Sequence, residues 1–333
     1  MYMKMRDYKI IFILLSVMKK QFYLLLLLLM LFASCQSKRA LVAFNLQNRA
    51  ESVSQLKKSD GRVKLYLPDT LLVTSFKKGV SSRYKGISRI RNYHFYHRDV
   101  PKEFDGFRIA FISDLHYKSL FKEKGLNNLV RLLNDEHVDA LLMGGDYQEG
   151  CEYVRPLISA LSKVNTTKGI YAVMGNNDYE RCHELIIDDM QRNGIHVLEH
   201  KVDTLRRNGQ QIIIAGVRNP FDLKENGKSP TLGLSPTDFV ILLTHTPDYA
   251  EDVPITYTDL VLAGHTHGGQ ITLFGYAPVL PSHYGQRFRT GLKTNSSHIP
   301  VIITNGIGTS RKNMRLFAPS EVVIIELHNS RLP

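Results

Sequence analysis

Two histidines separated by one residue, His265 and His267, lie in the segment GHTHGGQ at residues 264–270, between two apolar runs. An extended backbone points alternate side chains to the same side, so both imidazoles can face one small volume. The flanking glycines allow the backbone to approach closely. Imidazole pairs of this kind are typical of transition-metal ligands. The pair by itself also fits a polar loop, so the metal interpretation depends on whether other segments supply further ligands.

Four other apolar runs end in side chains that can bind a metal. These side chains are Asp114 and His116 after residues 107–112, Asp146 after 138–143, Asn176 and Asp178 after 170–174, and His245 after 240–243. Functional sites of open α/β sheets lie at the carboxyl ends of the strands, so we expect these side chains to converge. Asp114 alone would fit an ordinary helix N-cap. Five such segments in order are hard to obtain by chance.

The donor types indicate which metal is expected. Two aspartates, an asparagine and three or more histidines form a mixed oxygen and nitrogen set, which suits Mn, Fe, Zn or Co rather than Ca. Seven side chains are too many for one tetrahedral ion. Two divalent ions about 3.5 to 4 Å apart, bridged by a carboxylate, would use all of them. The sequence therefore predicts two divalent metal ions as cofactors.

The elements that must position these residues alternate along the chain from residue 101 onward. Apolar strands are predicted at residues 107–112, 138–143, 170–174, 212–217, 240–243, 260–263, 301–304 and 322–327. Apolar stripes at helical spacing are Leu126, Leu129, Val130 and Leu133, and Val154, Leu157, Ile158 and Leu161. Strands that alternate with amphipathic helices predict an α/β domain with largely central sheets.

The ordered run D-x-H, G-D-x, G-N-x-D, H and G-H-x-H resembles the calcineurin-like metallophosphoesterases over about residues 106–327. The resemblance implies a four-layer αββα sandwich, with two mixed sheets face to face and helices outside. The implied ligands are Asp114, His116 and His267 for the first ion, Asn176, His245 and His265 for the second, and Asp146 as the bridge. The implied catalytic residues are Asp146, Asn176 and Asp178.

A finer resemblance concerns one membrane-linked branch of this family. Residues 264–270 and 306–310, with Pro319, Glu321 and Val322, are similar to a branch that includes UDP-2,3-diacylglucosamine hydrolases. It implies attack of a metal-bridging hydroxide on a phosphodiester or pyrophosphate bond of a lipid- or nucleotide-linked substrate at the membrane. The alternatives are a general periplasmic phosphodiesterase or nucleotidase without lipid preference, and a non-catalytic scaffold with the same fold. The intact set of seven ligands argues against the scaffold.

The chain departs from the family at Asn177. Most members read G-N-H-D where residues 175–178 read GNND, and the family histidine is thought to protonate the leaving oxygen while the aspartate orients it. An alkoxide leaving group needs such an acid, whereas a phosphate leaving group, with a second pKa near 6, does not. We therefore expect a preference for activated phosphodiesters or pyrophosphates over alkyl phosphomonoesters.

Several polar side chains remain candidates for substrate contact or proton transfer. Asn177, Arg311 and Arg315 are the candidate substrate-binding residues, with Lys312 beside them. Solvated loop charges are an equally good interpretation of the three cations. His183 or His196 could replace the missing acid, although each also fits a surface or helix-end histidine.

The first 35 residues predict a membrane attachment. Apolar runs at residues 10–17 and 22–33 are separated by MKKQ, and one continuous span would place two lysines near the bilayer centre at about 2.5 to 3.5 kcal/mol each. The second run suits the apolar region of a signal peptide. Residues 31–35, LFASC, resemble a bacterial lipobox in which Cys35 is lipidated. We therefore predict a lipoprotein signal peptide, with an uncleaved anchor and a soluble cytoplasmic protein as the alternatives.

Three regions follow from these patterns. They are the signal peptide or anchor at residues 1–35, a basic tether with lead-in strands at 36–100, and the metallophosphoesterase domain at 101–333. Within the tether, residues 63–67 and 71–76 predict short strands. Residues 87–97 predict an edge strand, and its arginines Arg89, Arg91 and Arg98 predict a solvated or membrane-facing rim.

The net charge of +12 is concentrated in the N-terminal third. Residues 1–100 contain 19 Lys and Arg against 5 Asp and Glu, whereas the remaining residues have a balance of −2. This distribution favours an anionic membrane surface over a nucleic-acid partner. A lipidated Cys35 predicts the extracytoplasmic side. A UDP-linked substrate would instead require the cytoplasmic face, which is the alternative.

Cys151 and Cys182 complete the three cysteines. They could form a disulfide in an oxidising compartment, but sequence does not give their separation. Two small, partly buried thiols are the preferred interpretation.

Overall fold

The computed structural model describes residues 58–59, 62–67, 71–79 and 84–329. The predicted signal peptide or anchor, including Cys35, lies outside these residues. Within them, no helix combines the length and apolar character that crossing a bilayer requires.

The described strands form two mixed sheets. In chain order they are β1 (Lys58–Ser59), β2 (Arg62–Leu67), β3 (Leu71–Gly79), β4 (Arg89–His97), β5 (Phe107–Ile112), β6 (Ala140–Met143), β7 (Ile170–Ala172), β8 (Ile195–Val197), β9 (Val202–Arg207), β10 (Gln210–Gly216), β11 (Val240–Leu243), β12 (Leu260–Ala263), β13 (Gly291–Thr294), β14 (Pro300–Ile303) and β15 (Glu321–Asn329). The larger sheet has the order β1-β2-β3-β4-β15-β5-β6-β7-β8, and the smaller sheet has the order β13-β14-β12-β11-β10-β9.

Parallel pairing sets the direction of the strands that matter for the site. Strands β5, β6, β7 and β8 are parallel in the larger sheet, and β10, β11, β12 and β14 are parallel in the smaller one. Antiparallel β9 and β13 form the edges of the smaller sheet. The loops that follow β5, β6 and β7 therefore leave from one end of the larger sheet, and those that follow β11 and β12 leave from one end of the smaller sheet.

The described helices connect the strands, and most of them cover the outer faces of the sheets. They are α1 (Glu123–Asp135), α2 (Val154–Leu161), α3 (Asn176–Glu180), α4 (His183–Arg192), α5 (Leu223–Asn226) and α6 (Tyr249–Asp252). The apolar stripes predicted from the sequence form the buried faces of α1 and α2. Packing of these stripes against the larger sheet explains why helices form there.

Three apolar cores separate four layers, as the resemblance implied. One core joins α1, α2 and α4 to the outer face of the larger sheet. A second lies between the sheets and contains Phe111 of β5 and Ile241 of β11. The third joins α6 and Phe288 to the outer face of the smaller sheet. The αββα prediction is confirmed.

The expectation of an edge strand at residues 87–97 is wrong. Strand β4 pairs with β3 on one side and with β15 on the other, because the C-terminal strand inserts between β4 and β5. Its arginines Arg89 and Arg91 do not form a solvated rim, since both bind the fully buried carboxylate of Glu321. Arg98 alone of the three is largely exposed.

The two cysteines of the domain are not free thiols, contrary to the preferred interpretation. Cys151 and Cys182 form a disulfide, with a Cα–Cα distance of 5.6 Å. The sequence could not show this because the two residues are 31 positions apart and meet only through the fold. The bond ties the loop after β6 to the start of α4.

Candidate metal centre

Three buried side chains from both sheets form the first ligand group. Asp114 and His116 follow β5 in the larger sheet, and His267 follows β12 in the smaller sheet. The Nε2 atoms of His116 and His267 are 3.2 Å apart, and Oδ1 of Asp114 is 3.3 Å from Nε2 of His267. One donor atom from each of the three therefore faces a common point.

The second group lies around His245, which follows β11. Its Nε2 atom is 3.2 Å from Nδ1 of His265 and 3.5 Å from Oδ2 of Asp146. Asp114, Asp146 and His245 also offer one donor atom each within a common sphere. Asp146 is central because its Oδ2 atom is also 3.4 Å from Nε2 of His116. One carboxylate oxygen thus lies between the two imidazole groups.

Asn176 provides a direct sign that these residues fit a metal. Among the residues that the structure describes, its Oδ1 atom is buried without a hydrogen-bond partner. An unsatisfied buried polar atom costs about 1 to 3 kcal/mol, and a metal ion would satisfy it. The backbone N–H of the next residue, Asn177, donates to Oδ1 of Asp146 at 2.9 Å, which places this loop beside the bridging carboxylate.

The backbone at the site is held in an uncommon conformation. Positive φ angles occur at five predicted ligands: Asp114 (52°), His116 (39°), Asp146 (57°), His265 (67°) and His267 (51°). Non-glycine residues adopt such angles only when the surroundings impose them, at about 1 to 3 kcal/mol each. The folded sandwich therefore fixes these side chains toward the centre at the expense of local stability.

Two glycines, Gly264 and Gly175, allow the backbone of their loops to lie close to two carboxylates. A Cβ atom on Gly264 would overlap the Asp114 carboxylate, and one on Gly175 would overlap the Asp146 carboxylate. Both glycines immediately precede predicted ligands, so the loops can pass against the carboxylates only without a side chain at these positions.

Groups outside the ligand set orient the imidazoles. Nδ1 of His116 is 2.6 Å from Oε1 of Glu149, and Nδ1 of His245 is 2.7 Å from the carbonyl oxygen of Gly144. Such contacts fix the tautomer, so that Nε2 of each ring faces the centre. Glu149 was not found from the sequence. Its position three residues after Asp146 has no periodic signal, and the fold alone brings it to His116.

Arg315 lies beneath His267 rather than in solvent. Its guanidinium donates to the carbonyl oxygens of His267 (3.2 Å), Ala318 (3.0 Å) and Asn305 (2.8 Å), and it is 3.3 Å from Nδ1 of His267. Burial lowers the pKa of Arg315 to about 10. The cation holds the His267 loop in place and disfavours protonation of that ring.

Protonation in the metal-free site is determined by contact with Asp146. Burial lowers the pKa of His116 and of His245, but contacts with Asp146 outweigh it and raise these values to about 10 and about 9. Burial, and then the neighbouring cation at His245, lowers the pKa of His265 to about 3. Burial, His116 and Arg315 place the pKa of His267 well below its ordinary value. Asp146 thus lies ionised between two imidazolium groups whose protons divalent ions would replace.

Asp178 is buried at the base of the site. Its carboxylate accepts hydrogen bonds from the backbone N–H groups of Asp146 (2.7 Å), Tyr147 (3.0 Å) and Gly175 (2.8 Å). Burial, reinforced by the charge of Asp146, raises the pKa of Asp178 to about 7. These contacts join the loop of Asp146 to the loop of Asn176.

The remaining candidates lie in different places. The side-chain amide of Asn177 donates to the carbonyl oxygen of Gln148 at 2.9 Å, and Arg311 and Lys312 are exposed. His183 lies between Glu184 and Glu199, and His196 is 3.2 Å from Asp203. None of these described contacts joins His183 or His196 to a metal-ligand candidate.

Comparison with known proteins agrees with this geometry. Residues 107–269 match the family model described as calcineurin-like phosphoesterase. The chain is 30% identical over 237 residues to an uncharacterised metallophosphoesterase of Bacillus subtilis, YkuE, and the match covers 69% of this chain and 82% of that protein. An uncharacterised metallophosphoesterase of Aquifex aeolicus is 28% identical over 246 residues, covering 72% and 91%. A solved archaeal phosphodiesterase is 16% identical, and the match covers 60% of this chain and 84% of that chain with a TM-score of 0.32.

Fold, ligand geometry and sequence similarity together define a metal-dependent hydrolase. The chain belongs to the calcineurin-like metallophosphoesterases. It is therefore a phosphoric ester hydrolase of a family that uses divalent metal ions, and the His and Asp groups at the strand ends could hold them.

Proposed function

We propose that this protein is a phosphodiesterase or pyrophosphatase with a dinuclear metal centre. The observation that carries the proposal is the position of the Asp146 carboxylate, whose Oδ2 atom is 3.4 Å from Nε2 of His116 and 3.5 Å from Nε2 of His245. A carboxylate with an imidazole group on each side is the arrangement that a bridging ligand requires. When bound, two divalent ions supply a water of lowered pKa and neutralise phosphoryl oxygens.

The side chains divide the work of holding such a centre. The proposed ligands are Asp114, His116 and His267 for one ion, Asn176, His245 and His265 for the other, and Asp146 for both. Glu149 and the Gly144 carbonyl orient two of the imidazoles, and the N–H of Asn177 holds Oδ1 of Asp146. The site is thereby preorganised before substrate arrives, which is the larger part of electrostatic catalysis.

Asn177 directs the proposal toward substrates with good leaving groups. Its side-chain amide donates a hydrogen bond to the Gln148 carbonyl oxygen, and an amide does not act as a general acid at neutral pH. A phosphate or activated ester can leave without a proton, whereas an alkoxide cannot leave readily. We therefore propose activated phosphodiester and pyrophosphate substrates over alkyl phosphomonoesters.

An exposed apolar surface beside the centre favours a lipid-linked substrate. We define the apolar rim as Leu273, Phe274, Tyr276, Val279, Met314 and Phe317. The exposed fractions of Phe274, Val279 and Phe317 are 98%, 75% and 74%, which is unusual for such side chains.

Hydrogen bonds join the two segments of the rim to each other and to the loop that carries His267. The backbone N–H of Thr272 donates to the carbonyl oxygen of Leu316 at 2.9 Å, which pairs the two segments of the rim. The amide of Gln270 donates to the carbonyl oxygens of Ser310 and Lys312, and Gln270 lies three residues after His267. The exposed residues Arg311 and Lys312 directly follow Ser310 in its loop. Apolar side chains flanked by cations suit an anionic membrane surface.

We also propose an extracytoplasmic location, with the domain tethered through Cys35. The Cys151–Cys182 disulfide supports this proposal, because disulfides persist mainly in oxidising compartments. A nucleotide-linked lipid precursor, as in UDP-2,3-diacylglucosamine hydrolysis, would require the cytoplasmic face and is the alternative. Palmitate labelling of the wild type and of Cys35→Ala separates these locations, since labelling lost in the variant supports the tether and an unlabelled wild type excludes it.

Steady-state rates on three substrates test the chemistry. We expect the metal-loaded protein to hydrolyse bis-p-nitrophenyl phosphate and a lipid pyrophosphate in vesicles faster than an alkyl phosphomonoester. The Asp146→Ala variant should lose all three activities. A clear preference for the alkyl phosphomonoester would contradict the role assigned to Asn177.

The apolar rim distinguishes a membrane enzyme from a general phosphodiesterase. A Phe274→Ser, Phe317→Ser double variant should lose activity on the lipid substrate in anionic vesicles and keep its activity on bis-p-nitrophenyl phosphate. Val202→Ser, at an exposed apolar residue of β9, is the matched control. Equal lipid activity in the double variant and the control would favour the general phosphodiesterase.

A further inference from the structure

A second group of metal-ligating side chains lies on paired strands of the larger sheet. His94 is on β4, and Glu326 and His328 are on β15. His94 is directly opposite Glu326 in the register, and His328 is two residues further along, so all three share one face. That is the outer, helix-bearing face, because the alternate residues Phe95 and Leu327 belong to the core between the sheets.

This group is distinct from the candidate metal centre. Glu326 pairs with Arg108 near the beginning of β5, whereas Asp114 follows the end of the same strand. The two groups thus lie toward opposite ends of β5, and they share no residue.

The separations of the donor atoms lie within about 0.5 Å of those that a tetrahedral ion requires. Nδ1 of His94 is 3.0 Å from Nε2 of His328, which is 3.3 Å from Oε1 of Glu326. The third distance, from Nδ1 of His94 to Oε1 of Glu326, is 3.8 Å. Bonds of about 2.0 to 2.1 Å in a tetrahedron place ligands about 3.3 to 3.4 Å apart. The corresponding contacts of His267 in the candidate metal centre are 3.2 and 3.3 Å.

Neighbouring groups orient two of the three donors, His328 and Glu326. The ring of Tyr96 stacks on His328 with the ring centroids 4.4 Å apart, and Oδ1 of Asp105 is 3.5 Å from Nδ1 of His328. A carboxylate at the far nitrogen is the usual partner of a metal-bound imidazole. Arg108 lies 3.4 Å from Oε2 of Glu326, so that Oε1 faces the imidazoles.

We propose that His94, Glu326 and His328 bind a divalent ion of the zinc type. Two neutral imidazoles and one carboxylate are a donor set that zinc takes in proteins, and paired strands provide a more rigid support than loops. The ion joins β4 to β15 and so ties the strand that enters the domain to the C-terminal strand. The competing arrangement is a hydrogen bond between the two rings, with a proton in place of the ion.

Zinc content separates the two arrangements. The full-length protein is stripped of metal, dialysed against excess Zn²⁺ and analysed for bound zinc. We expect His328→Asn to bind one equivalent fewer than the wild type. His298→Asn, an exposed histidine with a positive φ that Asn tolerates, is the matched control and should lose none. An Asp114→Asn, His267→Asn variant, disrupted in the candidate metal centre, should retain the equivalent that His328→Asn loses.

Hydrolysis by His328→Asn and the zinc content of Glu326→Gln provide two further tests of the strand site. Hydrolysis by zinc-loaded His328→Asn should equal that of the wild type, because the strand site lies outside the candidate metal centre. Glu326→Gln keeps the size of the side chain and should also lose one equivalent, which covers the case in which His328→Asn does not fold. Equal zinc content in the wild type and Glu326→Gln would overturn the proposal and leave the hydrogen bond between the rings.

Discussion

The two sheets contribute different chemistry to the candidate metal centre. Loops of the larger sheet supply the oxygen donors Asp114, Asp146 and Asn176, and only one imidazole. Loops of the smaller sheet supply three imidazoles, His245, His265 and His267, and no carboxylate. Negative charge and bridging capacity thus come from one layer, and neutral nitrogen donors come from the other.

This division makes metal binding a property of the closed sandwich. Each ligand group contains residues from both sheets, and the backbone N–H of His265 donates to the Asp114 carboxylate at 3.0 Å. Residues from one sheet alone would not complete either candidate ligand group. Metal bound at this centre would therefore stabilise the packing of the two sheets.

Removing the bridging charge of the larger sheet should have the largest effect. In Asp146→Asn the carboxylate between His116 and His245 becomes an amide, so both ions lose a ligand. We expect turnover of bis-p-nitrophenyl phosphate to fall by more than about 100-fold, because changes even outside the ligand set cost about 10 to 100-fold. Asp188→Asn, at an exposed residue of α4, is the control. Activity within a few fold of wild type would refute the bridging role.

Removing one imidazole of the smaller sheet should affect the two ions unequally. His267→Ala removes a ligand that contacts Asp114 and His116, so we expect the ion of that group to be lost while the other is retained. His265→Ala should do the reverse, because its ring contacts His245. Metal analysis together with anomalous scattering from crystals identifies which position is empty. Equal loss from both positions in His267→Ala would contradict the split.

The protons held by Asp146 predict how metal binding depends on pH. The pKa values of His116 and His245, about 10 and about 9, mean that both rings are protonated at pH 7 without metal. Binding must release these protons, so affinity should strengthen as pH rises from 7 toward 9. Because folding raises the pKa of both rings above the ordinary value of 6.5, their protonation also stabilises the metal-free fold. This stabilisation is complete below about pH 6.5 and is lost as the pH rises through 9 to 10. Calorimetry in buffers of different ionisation enthalpy measures the release, and zero protons at pH 7 would be inconsistent with this account.

Weakening the contact that orients one imidazole, while keeping the imidazole itself, should have the smallest effect. Glu149→Gln keeps a hydrogen-bond acceptor for Nδ1 of His116 but removes the charge. We expect metal affinity to fall by about 10 to 100-fold with turnover preserved at saturating metal. Glu152→Gln, an exposed neighbour, should bind metal as the wild type does. A loss of turnover that excess metal does not restore would indicate a different role for Glu149.

Much of the architecture could be predicted from the sequence because its strands are fully buried. Strands β5, β11 and β12 have the predicted bounds, because each is a nearly continuous apolar run whose ends are marked by polar loops. Strands β9 and β13 were not predicted, because edge strands with sequences such as VDTLRR and GLKT have too few buried positions. An edge strand with many polar residues lacks the apolar periodicity by which a strand is predicted from sequence.

Long-range pairing accounts for the other differences. Nothing in residues 87–97 indicates that β15 returns beside them, so β4 was predicted as an edge and its arginines as a rim. The Cys151–Cys182 bond and the contacts of Glu149 and Arg315 also depend on loops brought together by the fold. The spacing of ligands along the chain, by contrast, reflects the order of the strands and could be read directly.

Metal titration of activity tests the dinuclear centre most directly. Metal-free His328→Asn protein, in which the strand site is disrupted, is titrated with Mn²⁺ while binding and hydrolysis of bis-p-nitrophenyl phosphate are followed together. A dinuclear centre predicts two equivalents bound and full turnover only as the second is filled. Full turnover at one equivalent, or hydrolysis without metal, would contradict it.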